Sequence, residues 1–273
     1  RIESASYGTG TTFIAEPFKN FYRHRALRFT RSLQHRAFLP NFSMTPRSTI
    51  ELWVNNASPN INQTLLAKRW NSNEFRLLLV QSGINNIIRV HFNGVTHDFG
   101  LLDNGYQHLA FTIDSSGTNR TVTGYKNGVF IGAFTFSNIS GNWSDDSEQW
   151  VVGAHKQAAG FSAFYDGLID EIAFYDTTLA VSTILDHAQQ ERNPQERGLR
   201  AYFAFDEGSG NTLNNSGSVL TGPGTNFGAE WSVFAPNQSV APHEFNPATR
   251  QVTLNPSVTS VDQVDFTDRS TIP

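Results

Sequence analysis

Short alternating segments recur along most of this chain, and they constrain its fold more than any other feature. Apolar or β-branched residues alternate with polar residues in short runs, and turn-forming residues separate the runs. A period of two residues indicates strands with one buried face. We predict strands at about 26–29, 48–55, 64–69, 75–81, 86–92, 95–101, 106–114, 120–126, 129–136, 149–153, 163–175 and 199–205.

Two turns and one helix complete this prediction. Asn93-Gly94 and Asn127-Gly128 each lie between alternating runs, and Asn-Gly favours the positive φ angles of a type I′ hairpin. A helix is predicted at about 180–190, where apolar residues recur at helical spacing. The chain is therefore expected to form an all-β, two-sheet antiparallel sandwich with one short helix.

Composition removes several classes of function. The chain has no cysteine, so it has no disulfide, thiolate zinc site or cysteine nucleophile. Charged residues make up 16% of the chain and the formal net charge is −4, which argues against a nucleic-acid partner. No apolar run is long enough for membrane insertion. The uncharged polar surface favours an extracellular protein, secreted or held at the cell surface.

Six motifs, in order between Ser48 and Ala188, resemble the laminin G-like family of concanavalin A-type jelly rolls in its bacterial and pentraxin-related branch. They are Ile50–Val54, Leu65–Trp70, Tyr106–Thr112, Tyr125–Gly128, Val152-Gly153 and Phe164–Tyr175. The resemblance implies a jelly-roll sandwich. It does not by itself identify the function, because this fold carries many functions.

One segment departs from the family's order. Leu199–Gly210 resembles the family's first strand, yet it follows the predicted helix. It could begin a second repeat, or it could fold back beside the Asp170 strand. We favour the second alternative, because an amphipathic strand without a partner would expose its apolar face. We therefore expect a jelly-roll domain at 1–235, and a proline-rich linker with the start of a following β module at 236–273. Flanking domains of a longer chain are the expected neighbours.

The same resemblance implies a structural calcium ion between the end strands. Asp170, Asp206, Glu207 and Gly210 would supply its oxygen ligands if 199–205 folds back. The alternative is an ordinary solvated acidic turn. Thr30-Arg31 stands where the family has an aspartate, which weakens the implied site.

Two loops have the composition of a sugar-binding site, which combines an aromatic face with amide and carboxylate groups. Asn142, Trp143 and Asp145 lie in the first loop, and Trp70 and Asn71 lie in the second. Trp143 is the leading candidate because its neighbours are small or polar. Each tryptophan could instead anchor its loop to the domain.

These observations favour a non-catalytic binding or adhesion module that recognises a glycan or a cell-surface or matrix glycoprotein. One alternative is a carbohydrate-active enzyme on the same fold, either a polysaccharide lyase or a glycoside hydrolase. The Glu-x-Asp-x-x-Glu pattern of laminarinase-type hydrolases is absent, and no catalytic residue is assigned. The other alternative is a structural spacer domain of a surface protein.

Overall fold

The computed structural model describes residues 5–6, 12–13, 25–70, 73–139, 148–189, 192–217, 219, 222–233, 235–236, 244–246 and 251–253. The chain divides into two compact units. One unit is His24–Pro236, and the other comprises Arg1–Arg23 and Asn237–Pro273. In the latter, the described residues form two short antiparallel pairs: β1 (Ala5–Ser6) with β2 (Thr12–Phe13), and β21 (Glu244–Asn246) with β22 (Gln251–Thr253).

The described residues of the unit His24–Pro236 form antiparallel strands, one short α-helix, α1 (Val181–His187), and a 3-10 turn at Arg31–Leu33. Its strands are β3 (Ala26–Phe29), β4 (Arg36–Leu39), β5 (Arg47–Asn56), β6 (Gln63–Trp70), β7 (Asn73–Ser82), β8 (Asn85–Phe92), β9 (Val95–Leu102), β10 (Tyr106–Ser116), β11 (Asn119–Lys126), β12 (Val129–Phe136), β13 (Trp150–Val152), β14 (His155–Gln157), β15 (Gly160–Ser162), β16 (Gly167–Tyr175), β17 (Leu199–Phe203), β18 (Thr212–Leu213), β19 (Gly224–Phe227) and β20 (Glu230–Ser232).

Most of these strands belong to two sheets. The first sheet has the order β12-β11-β10-β5-β16-β3-β20, and β17 also pairs with β16. The second sheet has the order β18-β19-β4-β13-β6-β7-β8-β9. The strands β14 and β15 form a separate hairpin. The predicted two-sheet antiparallel sandwich is confirmed.

Side-chain alternation places the core between the two sheets. On β5, Ile50, Leu52 and Val54 are fully buried in this core, whereas Glu51 and Trp53 lie outside the core cluster and face the other way. On the second sheet, Phe75, Leu77 and Leu79 of β7 are buried in the same core. Each sheet therefore has an inner apolar face and an outer face that carries polar side chains.

The predicted turns are confirmed in their backbone conformation. Asn93 and Gly94 have φ angles of 46° and 88°, and Asn127 and Gly128 have φ angles of 51° and 76°. Positive φ at both central residues is the requirement of a type I′ turn, and it sets the register of β8 with β9 and of β11 with β12.

One strand prediction needed correction, and several short strands were missed. The strand predicted at 163–175 begins at Gly167, because the preceding residues leave the sheet after the β14–β15 hairpin. Strand β4 was not predicted at all, because four residues are too few for a clear period. The strands β14, β15, β18, β19 and β20, with two to four residues each, were also missed for the same reason.

Strand β17 folds back onto the first sheet, as predicted. It pairs antiparallel with Ile172–Tyr175 of β16, while β3 pairs with Gly167–Ile169 at the other end of the same strand edge. At this position along β16, its register with β5 shifts between Asp170 and Ala173. Glu171 has a φ angle of 49°. The bulge places Asp170 and Glu171 at the point along β16 where its neighbour on that edge changes from β3 to β17.

Candidate functional site

The sugar-binding loops predicted from composition lie largely outside the described residues. Asn142, Trp143 and Asp145 fall within 140–147, and Asn71 falls within 71–72, which the structure does not describe. Trp70 ends β6, and its side chain is likewise outside the described part. A sugar site at these residues stays a prediction.

The pairing of β17 with β16 brings two of the predicted calcium ligands, Asp170 and Asp206, near each other. Asp170 is buried. Burial, followed by the carboxylates of Glu171 and Asp206, raises the pKa of Asp170 well above its ordinary value. The backbone N–H of Glu171 donates to Asp170 Oδ1 at 2.9 Å, and Asp206 Oδ1 accepts the backbone N–H of Arg25 at 2.8 Å. A buried carboxylate next to a half-buried one supplies the oxygen ligands that a cation such as calcium prefers.

The other two predicted ligands have different partners. Glu207 Oε1 accepts the backbone N–H of Asn214 at 2.6 Å, and the carbonyl oxygen of Gly210 accepts the indole N–H of Trp231 at 3.0 Å. Among the residues that the structure describes, no three His, Asp or Glu side chains gather in an arrangement that could hold a metal ion. Of the four predicted ligands, Asp170 and Asp206 are the two whose carboxylates lie near each other.

The outer face of the second sheet carries two groups of charged and aromatic side chains. Residues directly opposite each other on neighbouring strands share a face. Phe38 lies opposite Val151, Val151 opposite Ala67, Ala67 opposite Arg76, and Arg76 opposite His91, so these residues form one row across five strands. Arg36 is two residues from Phe38 on β4 and lies opposite Phe227, so it belongs to the same face.

At one end of this row lies a group that we call the Arg36 platform, formed by Arg36, Phe38, Phe161 and Phe227. The guanidinium carbon of Arg36 lies 3.9 Å from the ring centroid of Phe227 and 4.5 Å from that of Phe161. Phe38 packs edge-on against Phe161 and Phe227, at centroid distances of 5.7 and 6.4 Å. Phe227 is 53% exposed. The platform therefore presents an aromatic surface and a cation to solvent.

At the other end of the row lies the Glu74 cluster, formed by Glu74, Arg76, His91 and His155. Glu74 Oε2 contacts His155 Nε2 at 2.8 Å, and Glu74 Oε1 contacts His91 Nε2 at 3.2 Å and Arg76 Nη2 at 3.1 Å. Arg76 also contacts Nδ1 of both histidines. His155 satisfies both of its contacts by donating from Nε2 to Glu74 and accepting at Nδ1 from Arg76, whereas His91 Nε2 accepts the backbone N–H of Gly94 at 2.7 Å. Ion-pair and hydrogen-bond contacts therefore join all four side chains of the cluster.

The β14–β15 hairpin connects the two groups. It supplies His155 to the Glu74 cluster and Phe161 to the Arg36 platform. Val151 and Ala67, which lie between the two groups in the row, are buried although they face outward. These contacts hold the hairpin over the outer face of the second sheet.

The outer face of the first sheet carries a buried charge network. Glu51 and Arg192 are fully buried in their side chains, and Arg192 Nη2 lies 3.0 Å from Glu51 Oε2. His187 of α1 contacts Glu51 through Nδ1 at 2.8 Å and Glu196 through Nε2 at 3.0 Å. The Tyr175 hydroxyl donates to Glu196 at 2.9 Å. We call these five residues the Glu51 network.

Electrostatics keep Glu51 ionised in spite of its burial. Burial alone would raise its pKa, but the Arg192 guanidinium and the hydrogen bond from His187 lower the pKa of Glu51 below its ordinary value. Glu51 in turn raises the pKa of Arg192, against the effect of burial. The network ties α1 and the 192–196 segment to the sheet, which gives it a structural role.

A family within the concanavalin A-like lectin/glucanases superfamily, of the laminin G type, matches residues 32–185. The chain belongs to this laminin G-like family. The matched residues run from β4 into α1, so they include both ends of the row on the second sheet, apart from Phe227.

Solved structures share the laminin G-like fold. A candidate carbohydrate-binding protein from Bacteroides ovatus aligns with a TM-score of 0.59 and 18% identity, over 84% of this chain and 65% of its own length. Bacteriophage CBA120 tailspike protein 2 aligns at 0.50 and 12% identity, over 66% of this chain and 30% of its own. A pentraxin from Limulus polyphemus aligns at 0.46 and 14% identity, over 65% of this chain and 86% of its own.

Two further findings concern this chain. No curated protein sequence matches it significantly. Within the described residues, no helix has the length and apolar character needed to cross a membrane.

The Arg36 platform of this laminin G-like domain was missed by sequence reasoning. Its residues come from β4, β15 and β19, none of which was predicted as a strand. The predicted sugar-binding aromatics were tryptophans in loops, whereas the aromatic residues of the platform are phenylalanines on strands. One local signal was available, because Arg36 and Phe38 alternate with the buried Ala37 and Leu39.

The Glu74 cluster predicts a loss of stability in acid. Burial, followed by Arg76, lowers the pKa of His91 from 6.5 to about 4, so between these values the unfolded chain binds a proton that the folded domain does not. Hydrogen bonding to His155 lowers the pKa of Glu74 to about 2, which has the same sign. Stability is therefore complete above pH 6.5 and falls as the pH decreases. The His91 contribution is at most about 3.5 kcal/mol, at about 1.4 kcal/mol per pKa unit.

Chemical denaturation at a series of pH values would measure this effect. We expect His91→Gln to flatten the decrease in unfolding free energy between pH 6.5 and 4. Thr96→Ala is the matched control, because Thr96 lies opposite His91 and does not titrate. A His91→Gln profile parallel to that of the unaltered protein would contradict the prediction.

Proposed function

We propose that this protein is a non-catalytic carbohydrate-binding module of a secreted or cell-surface protein, and that it binds a glycan on the Arg36 platform. The observation that carries the proposal is the exposed, cation-bearing group of phenylalanine rings on the outer face of the second sheet. Aromatic rings pack against the apolar faces of sugar rings, and planar N–H donors bind sugar oxygens. The fold shared with the Bacteroides ovatus protein is consistent with this proposal.

A glycan array followed by titration calorimetry tests the proposal. We expect Phe227→Ala to weaken binding of the best glycan by at least about tenfold, which corresponds to the loss of one stacked aromatic contact of about 1.4 kcal/mol. Phe130→Ala is the matched control, because Phe130 is 58% exposed but lies on β12 of the first sheet. No binding to any glycan, or equal loss in both variants, would overturn the assignment to the Arg36 platform.

The non-catalytic part of the proposal needs a separate assay. The Glu74 cluster places a carboxylate, an arginine and two histidines on a partly exposed face, and such groups could serve a polysaccharide lyase or a glycoside hydrolase. We expect no new reducing ends and no unsaturated products after incubation with the bound polysaccharide. Product formation that Glu74→Gln abolishes would establish the enzyme instead.

Calcium is a further part of the proposal, with Asp170 and Asp206 as its carboxylate ligands. Burial and the carboxylates of Glu171 and Asp206 raise the pKa of Asp170, and bound calcium would offset both effects. Calcium at a hundredfold excess over its Kd should stabilise the domain by roughly 2.7 kcal/mol, and EDTA should reverse this gain. We expect Asp170→Asn to remove the calcium-dependent change in melting temperature, whereas Asp98→Asn, on the second sheet, should keep it. A melting temperature insensitive to calcium and EDTA would refute the site.

A further inference from the structure

Arg36 differs from two other arginines on the same sheet face in the partners of its charge. Arg76 is paired with Glu74 at 3.1 Å, and Arg89 is paired with Asp98 at 2.5 Å. Within the described part of the chain, no carboxylate lies within ion-pair distance of Arg36. Its Nη1 donates to the carbonyl oxygen of Gln34 at 3.0 Å. The cation therefore lacks a neutralising partner among these residues.

The surroundings of Arg36 make the lack of a carboxylate partner energetically unfavourable. Its guanidinium packs against the rings of Phe227 and Phe161, and its Nε is buried without a hydrogen-bond partner. Burial lowers the pKa of Arg36 below its ordinary value. A partly desolvated cation gains more from an anionic partner than a fully hydrated one does.

The geometry of the platform also limits the kind of anion. Rings that pack on a guanidinium cover its faces, whereas its N–H donors lie in its plane and match a carboxylate. The adjacent exposed ring of Phe227 suits a ligand with an apolar face next to that carboxylate. A sugar ring that bears a carboxylate provides both features.

We infer that the Arg36 platform selects acidic sugars, with Arg36 pairing the sugar carboxylate and Phe227 packing against the ring. This inference rests on the proposed glycan-binding function and specifies its ligand class. Uronic acids and sialic acids share the required carboxylate.

The experiment compares probes that differ in their carboxylate. One pair is tetragalacturonic acid and its methyl ester, and the other is 3′-sialyllactose and lactose. We expect the acidic member of at least one pair to bind about tenfold or more tightly than its neutral partner, the gain of a charge-assisted hydrogen bond. The pair that shows the preference identifies the source of the carboxylate. The preference should decrease as the salt concentration rises.

Variants locate the preference at Arg36. Arg36→Gln should bring the ratio of acidic to neutral affinity close to one. Arg31→Gln removes the same charge from an exposed nearby position and should leave the ratio unchanged. Arg36→Lys, which keeps the charge, should retain part of the preference, and it provides the test if Arg36→Gln does not fold.

The possible failures are distinguishable. Binding of neutral glycans as tight as that of acidic glycans, with loss of binding in Phe227→Ala, would overturn this inference and leave the proposed function intact. A preference for acidic sugars that Arg36→Gln and Arg31→Gln reduce equally would place the carboxylate away from Arg36. No binding of any glycan would overturn both proposals.

Discussion

Replacing Arg192 with leucine should destabilise the domain by about 3–5 kcal/mol, because it leaves the carboxylate of Glu51 buried without its main cation. Arg192 and Glu51 are fully buried in their side chains and lie 3.0 Å apart. His187 would remain as a partner of Glu51. For a domain of this size the loss corresponds to a decrease in melting temperature of roughly 6–20 °C.

A double-mutant cycle tests whether this loss arises from the buried pair. The double variant Glu51→Leu with Arg192→Leu removes both charges, so it should be much more stable than the sum of the two single losses predicts. Arg47→Leu is the control, because its pair with Asp114 is exposed and should contribute little. Additive losses in the double variant would contradict the proposed coupling.

A chain that ends at Asn193 should not unfold cooperatively. It lacks β17, β19 and β20, which pair with β16, β4 and β3 respectively. It also loses Leu199, Phe203 and Phe205, which are fully buried. At about 1.5–3 kcal/mol for each large apolar side chain, these three alone contribute roughly 5–9 kcal/mol, which is comparable with the whole stability of a typical domain.

Thermal unfolding followed by circular dichroism would show the difference. The control is a chain that ends at Pro236, which keeps every strand of the two sheets and should melt in one transition. If the chain that ends at Asn193 melted at the same temperature as this control, β17 would not be part of the cooperative unit. The fold-back would then be irrelevant to stability.

Local pattern predicted the elements of the fold well where they were long. Strands β5 and β10 have ten or more residues, so their alternation was unmistakable, and the Asn-Gly turns defined two hairpins. The short strands β4, β15 and β19 escaped detection because three or four residues show no reliable period. The Arg36 platform was therefore not predicted, because its residues lie on these three strands.

The calcium prediction illustrates a second limit. The resemblance correctly placed the Asp170 strand beside the segment that leads to Asp206. It could not show that Glu207 accepts from Asn214 or that Gly210 accepts from Trp231. Sequence identifies which oxygen atoms are available, but the direction of each turn decides which atoms converge.

The sequence by itself determined the all-β class, the inward and outward faces of the long strands and the register of two hairpins, because each depends on residues near one another in the chain. The tertiary structure alone decided that Arg36, Phe161 and Phe227 meet on one surface. It also decided that Glu51 meets His187 and Arg192. The physical reason is that the pairing order of the strands sets these contacts, and that order follows from packing the whole core rather than from any local pattern.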